Sequence, residues 1–303
     1  MVRKRRSPKN LIGSILVLLI LSVYYFANPA DTQDSGEGGD IPTLSAESPD
    51  EIQGDLLVSF IDVGQADSIL VEQGEQTLLI DCGTKDAGEQ VLQYLEARSV
   101  EALDYLVLTH PHEDHIGGAV AVLDAVPVTQ AYMPNKPHTT ATYGNTLQKL
   151  AEKQVAVTAA QAGDSFYVGE ALVEILGPVT IYSDLNDCSV VLRLTYGENS
   201  FLFTGDAEAA AEEDILKKGS KLAADLLKVG HHGSETSSSQ AFLDAVSPKI
   251  AVISCGEDNE YGHPHADTLN RLQALGVTVF RTDQKGTIQA VSDGKEITMY
   301  MGK

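Results

Sequence analysis

One loop constrains the fold and chemistry of this chain more than any other segment. An apolar run at Leu103–Leu108 predicts a buried strand. The loop that follows it reads Thr109-His110-Pro111-His112-Glu113-Asp114-His115. Neutral imidazole and carboxylate groups are usual ligands for zinc, iron and manganese, so the first two histidines can hold one ion while Asp114 and His115 turn toward a second. A solvated polar loop is the alternative, and three histidines directly after a strand disfavour it.

Charge is divided unevenly along the 303 residues. The first ten residues carry five basic side chains and no acidic ones, whereas the remainder carries 16 basic and 43 acidic side chains, a net charge of −27. An acidic domain repels polyanions at long range, so a nucleic-acid substrate must be drawn in locally by metal ions or a small basic patch. Candidates for such a patch are Lys85, Lys136, Lys149 and Lys228.

The N-terminal region predicts a membrane anchor. Residues 11–28 contain no charged side chain and are just long enough to cross a bilayer. The basic residues 1–10 would stay in the cytoplasm, which places the rest outside the cell on a single-pass anchor. A cleaved signal peptide, giving a secreted protein, is the alternative. Residues 29–53 predict a flexible acidic linker, and residues 54–303 predict the folded domain.

Strand-length apolar runs alternate with amphipathic segments through the folded part. Strands are expected at Leu56–Val63 and Thr77–Asp81, and helices at Gly88–Arg98 and Gly117–Ala125. Residues 155–176 predict a strand-rich connection. This alternation predicts an α/β fold in which two sheets lie between helices, with polar loops gathered at one sheet edge.

Four further loops carry site chemistry, and each follows an apolar run. A single Gly-Asp is a weak signal, but four such loops in series with the histidine loop are a strong one. They are Asp81 in Leu79-Ile80-Asp81-Cys82-Gly83, Asp206 in Phe203-Thr204-Gly205-Asp206, His231-His232-Gly233-Ser234, and Tyr261-Gly262-His263-Pro264.

These segments resemble the metallo-β-lactamase superfamily, whose αββα sandwich holds one or two metal ions at a sheet edge. The H-x-H-x-D-H motif matches without a gap. A narrower resemblance, to the C-terminal extracellular hydrolase domain of the ComEC family of competence proteins, covers roughly residues 55–292. It rests on residues 60–68, 106–112, 183–189, 227–234 and 261–264. The expectation is that hydrolase domain alone, on a single anchor, without the family's multi-spanning channel.

The resemblance implies a role for each site residue. The implied metal ligands are His110, His112, Asp114, His115, Asp206 and His263. The first two would hold one ion, Asp206 would bridge the pair, and the others would hold the second. One or two divalent ions, Zn or Mn first among them, would activate a water for in-line attack.

The remaining roles concern residues around the metals. The resemblance implies that Asp81 accepts from a ligand histidine or the backbone. It places His231 and His232 where a developing oxyanion forms. Ser234, with the serines at 237–239, would offer donors to a phosphate, and simple helix capping is an equal alternative.

One departure from many superfamily members is a missing loop histidine between the H-x-H loop and the bridging aspartate. His138 is the only histidine from 116 to 205, and it lies in a Pro-His-Thr-Thr loop. Asn186 or Asp187, or a water, would complete the first ion's shell, and Asn186 is also a substrate-binding candidate. His265 is expected to be a surface residue at a helix start.

Three functions remain open. The first is an extracellular phosphodiesterase or nuclease acting on single-stranded DNA or another phosphodiester. The second is a hydrolase of an envelope phosphodiester or ester, for example a phosphorylcholine or lactone substrate. The third is a non-catalytic binding module that retains a metal site. Fold alone does not choose among them.

Overall fold

Two mixed β-sheets lie against each other in the computed structural model, which describes residues 43–45 and 55–302. The predicted anchor and cytoplasmic segment fall outside these residues. No helix in the described part of the chain is both long enough and apolar enough to cross a membrane. A short strand, Thr43–Ser45, lies within the segment predicted as linker and pairs in parallel with the last strand of the chain.

Within the described residues, the first sheet has nine strands and the second has seven. The first sheet runs in the order β1 (Thr43–Ser45), β16 (Ile297–Met301), β15 (Ile288–Ser292), β2 (Leu56–Phe60), β3 (Ile69–Gln73), β4 (Gln76–Ile80), β5 (Leu103–Val107), β6 (Val128–Met133) and β7 (Ala156–Ala159). The second runs in the order β14 (Thr278–Arg281), β13 (Ile250–Ile253), β12 (Leu226–Lys228), β11 (Asn199–Phe203), β10 (Val191–Tyr196), β9 (Ala171–Gly177) and β8 (Ser165–Val168).

Helices cover the outer face of each sheet. Those packed on the first sheet are α1 (Gly88–Ala97), α2 (Glu113–Ile116), α3 (Ala119–Ala125) and α4 (Ala141–Glu152). Those packed on the second are α5 (Ala209–Lys218), α6 (Gln240–Val246) and α7 (Ala266–Ala274); a single turn, α8 (Thr282–Lys285), follows β14.

Alternation along the strands explains this layering. Leu56, Val58 and Phe60 of β2 point into the core between the sheets, where the Phe60 ring lies 6.3 Å from that of Phe203 on β11. The intervening faces pack against the helices. Each fully buried side chain of this size contributes about 1.5–3 kcal/mol to folding. The predicted sandwich of two sheets between helices is therefore confirmed.

The predicted helix Gly117–Ala125 begins two residues later in the structure and ends where it was expected. It is preceded by the separate turn α2, and α3 begins only at Ala119. A glycine pair lies between α2 and α3, where a Cβ on Gly117 would lie 2.3 Å from the Lys85 backbone nitrogen and one on Gly118 would lie 2.2 Å from the Cys82 carbonyl oxygen. The chain passes the Cys82–Lys85 loop too closely for any side chain. This contact fixes the helix against the loop that carries Asp81.

The strand order brings the polar loops together. β4 and β5 are parallel neighbours in the first sheet, and β11, β12 and β13 are parallel neighbours in the second. Carboxyl ends of parallel neighbours lie at the same edge, so the loops gather at one edge of each sheet. The two edges meet, since His115, after β5, and Asp206, after β11, lie 3.3 Å apart. Residues 155–176, predicted as a strand-rich connection, contain β7, β8 and the start of β9.

Candidate metal centre

Asp206 is the hub of the converging loops. Gly205 turns the chain after β11 with a φ of 51°, and a Cβ there would come within 3.0 Å of Thr109. The Asp206 side chain is buried, and its Oδ2 lies 3.3 Å from Nε2 of His115 and 3.8 Å from Nε2 of His110. The same oxygen lies 3.8 Å from Nε2 of His231 and of His232. Four imidazoles therefore face one carboxylate.

Asp81 orients His115 from behind. Its Oδ2 accepts from His115 Nδ1 at 2.7 Å and from Thr109 Oγ1 at 2.6 Å, while Oδ1 accepts from the Thr109 backbone N–H at 2.8 Å. When Nδ1 alone carries a proton, Nε2 has the lone pair that binds metal. Burial raises the pKa of Asp81, and His115 and Thr109 oppose that shift. The structure thus places Asp81 in contact with both a candidate ligand and the backbone.

His232 joins the group expected to hold the second ion. Its Nδ1 donates to the Ser254 carbonyl oxygen at 3.0 Å, and its Nε2 lies 3.3 Å from Asp114 Oδ2. In the neutral form with the proton on Nδ1, Nε2 would be free to bind a metal ion. Among the described residues, one ligand atom each of Asp114, His115, Asp206 and His232 lies within 4.8 Å of all the others. Strand order explains this position, because β12 adjoins β11 directly and so delivers its loop beside Asp206.

His263 lies farther out. Its ring centroid is 6.3 Å from that of His232 and 5.4 Å from that of His231. Like His110 and His112, it is not a member of the four-residue ligand group found in the described chain. Burial, followed by the neighbouring His231 and His232, lowers its pKa to about 4, so it is neutral at physiological pH.

His110 and His112 form the other side of the centre. Nε2 of His110 lies 3.0 Å from Nδ1 of His112, a separation that leaves both nitrogens directed at one region. Ser189 lies 3.3 Å from His110 Nδ1, and its Oγ also accepts from the Asp206 backbone N–H at 3.0 Å. Burial, with His115 next, lowers the pKa of His110 well below its usual value, which favours the neutral, metal-binding form.

The candidates for the missing loop histidine serve other contacts. Asp187 accepts backbone N–H groups from Glu208 and Ala211 at the start of α5, and burial raises its pKa. Asn186 donates to Glu208 Oε1 at 3.3 Å, and its own Oδ1 is buried with no hydrogen-bond partner in the described chain. His138 pairs with the neighbouring Thr140 hydroxyl.

A residue that sequence reasoning missed is Glu208, two positions after Asp206. Its Oε1 lies 3.0 Å from His231 Nδ1 and accepts from the Thr236 hydroxyl at 2.8 Å. The carboxylate therefore holds His231 with a proton on Nδ1 and its Nε2 toward Asp206. The spacing Asp-x-Glu immediately after a strand end was the available signal.

The centre fits divalent cations. Burial alone would raise the pKa of Asp206, but His115 and His232 outweigh it and lower it well below its usual range. Burial would lower the pKa of His115, but Asp206, Asp81 and Asp114 raise it well above its usual range. Asp206 Oδ1 and His115 Nε2 are both buried without a hydrogen-bond partner among the described atoms. Two unsatisfied buried ligand atoms of these types, on side chains that lie against each other, suit a metal ion.

A buried ion pair ties the two halves of the centre. Lys228, the last residue of β12, is completely buried and donates to Asp67 Oδ2 at 2.8 Å. Asp67 lies in the loop after β2, and its Oδ1 is 3.6 Å from His232 Nδ1. Lys228 is therefore not part of a surface patch. Lys136 donates to the carbonyls of Tyr182 and Ser183, and Lys149 pairs with two acidic residues.

The serines named as phosphate donors are engaged locally. Ser234 is buried and its hydroxyl pairs with that of Thr236 at 2.9 Å. The backbone N–H groups of Ser238 and Ser239 both donate to the buried carboxylate of Glu212, whose pKa burial raises. The Ser239 hydroxyl caps α6, so the capping alternative describes this segment.

Residues 61–257 match the sequence profile of the family described as the metallo-beta-lactamase superfamily. The chain therefore belongs to the metallo-β-lactamase superfamily, whose members are generally metal-dependent hydrolases that bind one or two divalent ions. The fold is shared with the metallo-beta-lactamase fold protein YhfI from Bacillus subtilis, with a TM-score of 0.54 and 16% identity over 78% of this chain and 100% of that one.

Competence proteins are among the similar sequences. The chain is 35% identical to ComE operon protein 3 of Bacillus subtilis over 267 residues, or 82% of this chain and 33% of that protein. It is 34% identical to competence protein ComA of Neisseria gonorrhoeae over 241 residues, or 78% and 32% of the two lengths. The chain thus spans about a third of these relatives, and the predicted resemblance to competence proteins is confirmed.

Proposed function

We propose that this domain is a metal-dependent phosphodiesterase that cleaves single-stranded nucleic acid outside the cell. The observation that carries the proposal is the Asp206 hub, a buried carboxylate facing four imidazoles with unsatisfied ligand atoms beside it. Such a centre suits a pair of divalent ions, and paired ions suit displacement at phosphorus. The names of the competence relatives favour DNA as the phosphodiester.

The proposed ligand set follows from the hydrogen-bond partners of the imidazoles, which occupy Nδ1 of His115 and of His232. His110 and His112 would hold one ion, with Asp206 between the two ions. The second ion would be held by Asp114, His115 and His232, whose ligand atoms lie within 4.8 Å of one another and of Asp206. Divalent ions there would polarise a phosphoryl oxygen and lower the pKa of water, and Zn or Mn suits these donors.

The His231–Glu208 pair would manage the leaving group. Glu208 fixes the imidazole through Nδ1, so the opposite nitrogen is available for proton transfer beside Asp206. An alkoxide leaving group, such as a sugar oxygen of DNA, needs a proton as its bond to phosphorus breaks. His231, partly exposed, would deliver it from Nε2 when both of its nitrogens are protonated, and would then keep the Nδ1 proton that faces Glu208.

Capture of a polyanion by so acidic a domain requires local attraction. Lys136, Lys149 and Lys228 are committed to internal contacts, whereas Lys85 is exposed at the Asp81 loop. The ions themselves would therefore supply most of the attraction for phosphate. Anchoring through residues 11–28 would hold the domain where extracellular DNA arrives, and this topology remains a prediction.

The test is hydrolysis by the purified full chain, in detergent, of labelled single-stranded DNA with Mn²⁺ or Zn²⁺. The matched control is Asp206→Asn, which keeps the side-chain shape but removes the bridging charge. Metal-dependent cleavage by the wild type and none by the variant would support the proposal. If the protein binds metal and hydrolyses phosphorylcholine esters or lactones but not DNA, its substrate is in the envelope. If it binds metal and hydrolyses none of these, it is a binding module.

A further inference from the structure

The loop Gly256–His265, after β13, borders the candidate centre but contributes no member of its ligand group. We infer that this loop binds substrate rather than metal: Tyr261 stacks on a nucleobase while His263 donates a hydrogen bond to the same strand. The inference rests on the proposed nuclease function and adds a requirement for bases next to the cleaved phosphodiester. It also removes His263 from the set of metal ligands implied by the family resemblance.

The tautomer of His263 is set by Gln65. The Gly256 backbone N–H donates to Gln65 Oε1 at 3.0 Å, and because a backbone N–H can only donate, the amide oxygen must face it. The amide nitrogen of Gln65 is then the group 3.2 Å from His263 Nδ1 and donates to it. A neutral imidazole that accepts at Nδ1 carries its proton on Nε2. His263 is therefore a hydrogen-bond donor at Nε2, the opposite of His115 and His232.

Asn259 holds the loop in one shape. Its amide nitrogen donates to the carbonyls of Gly256 and His263, at 2.9 and 2.6 Å, and its oxygen accepts from the His263 N–H at 3.0 Å. His265 adds a link by donating from Nε2 to the Tyr261 carbonyl at 3.1 Å and accepting from the Glu235 N–H at Nδ1. A segment with this many internal bonds presents its side chains without ordering them on binding.

Tyr261 offers an open aromatic face at the rim of the centre. It is 61% exposed, and its ring lies nearly parallel to that of His263, with centroids 5.7 Å apart and planes at 23°. His263 in turn lies 5.4 Å from His231. A row of rings thus leads from the proposed proton donor to solvent. An exposed tyrosine ring supported from one side is a typical platform for single-stranded nucleic acid, because every base has a face that can stack on it.

The experiment compares two substrates that differ only in bases. One is a single-stranded oligothymidylate and the other is an abasic strand of the same length, so both carry the same phosphates. We expect Tyr261→Ala in the full chain to raise KM for the base-bearing strand about 5- to 100-fold and to leave the abasic strand unchanged. Tyr261→Phe should retain the wild-type KM. Tyr167→Ala is the matched control, since Tyr167 is 57% exposed and lies on β8, the edge strand of the second sheet, which carries none of the site residues.

Equal KM values for wild type and Tyr261→Ala on the base-bearing strand would overturn the stacking role while leaving the nuclease proposal intact. Failure of the wild type to cleave either strand would overturn both. A separate readout is metal content, measured by mass spectrometry on the purified variants. His263→Ala should retain the wild-type number of ions, whereas His232→Ala should lose one; loss of an ion from His263→Ala would refute the donor assignment.

Discussion

The two histidine loops of the centre deliver their side chains by different means. In the loop after β5, His112 has ordinary extended backbone angles and His115 lies in a regular helical turn. In the loop after β12, His231 and His232 both have left-handed backbone, with φ of 48° and 53°. This conformation is uncommon outside glycine and is concentrated at functional sites. The two adjacent histidines in this turn contact different partners: His231 contacts Glu208, and His232 contacts Asp114.

Removing one candidate ligand from each loop tests most directly whether both loops hold metal. We expect His115→Ala and His232→Ala each to lower affinity for one ion by more than about 100-fold, the upper range for loss of a residue that merely orients a ligand. Metal content and calorimetric titration with Zn²⁺ or Mn²⁺ measure this effect. Circular dichroism would confirm that each variant is folded. Retention of both ions by His232→Ala would return the second ion to the ligand set implied by resemblance.

Replacing the other member of the left-handed pair should separate binding from chemistry. His231→Ala is expected to keep both ions but to slow DNA cleavage by about 10²–10⁴-fold, because general-acid assistance is lost. The rate of bis(p-nitrophenyl) phosphate hydrolysis should be nearly unchanged, since nitrophenolate leaves without a proton. Glu208→Gln should show the same pattern with a smaller loss. An equal loss on both substrates would remove His231 from the role of proton donor.

The first loop depends on its support from Asp81. Asp81→Asn would replace an acceptor of three hydrogen bonds by an amide that accepts at one oxygen only. Metal affinity should fall about 10–100-fold, in the range measured for other residues that orient metal-bound histidines. Metal affinity should fall less in Thr109→Val, which removes only one of the three hydrogen bonds. Unchanged affinity in Asp81→Asn would mean that His115 keeps its tautomer without this carboxylate.

The smallest expected effect concerns folding rather than metal. Gly233, with a φ of 84°, follows the left-handed pair, and a Cβ there would lie 2.5 Å from the Pro264 Cβ. Gly233→Ala should lower the free energy of unfolding by about 2–5 kcal/mol, from left-handed backbone together with overlap. Gly276→Ala, at φ 70° with open space around it, should lose only about 1–2 kcal/mol. Urea denaturation compares the two, and equal losses would show that the contact with Pro264 relaxes freely.

The parts of the centre that sequence could predict are those where position follows from strand order. The apolar runs, the histidine loop and Asp206 all lie at the ends of parallel strands, so their convergence follows from the fold. The family resemblance implied His263 as a ligand and His232 near the oxyanion. The proposed exchange of these roles depends on which strand adjoins β11 and on the hydrogen bond from Gln65, neither of which the sequence shows. Glu208 was missed because its partner, His231, is distant in sequence and reaches it through a left-handed turn.

The buried pair of Lys228 and Asp67 has a consequence for how the protein would respond to salt. Mobile ions weaken attraction between exposed charges but barely reach a pair enclosed by protein. The alignment of the two sheets at the centre should therefore be indifferent to ionic strength, whereas capture of a DNA strand should weaken as salt rises. For the proposed nuclease, a salt series would move KM for DNA while kcat stays constant, so salt would change how often a strand is bound and not how fast it is cleaved.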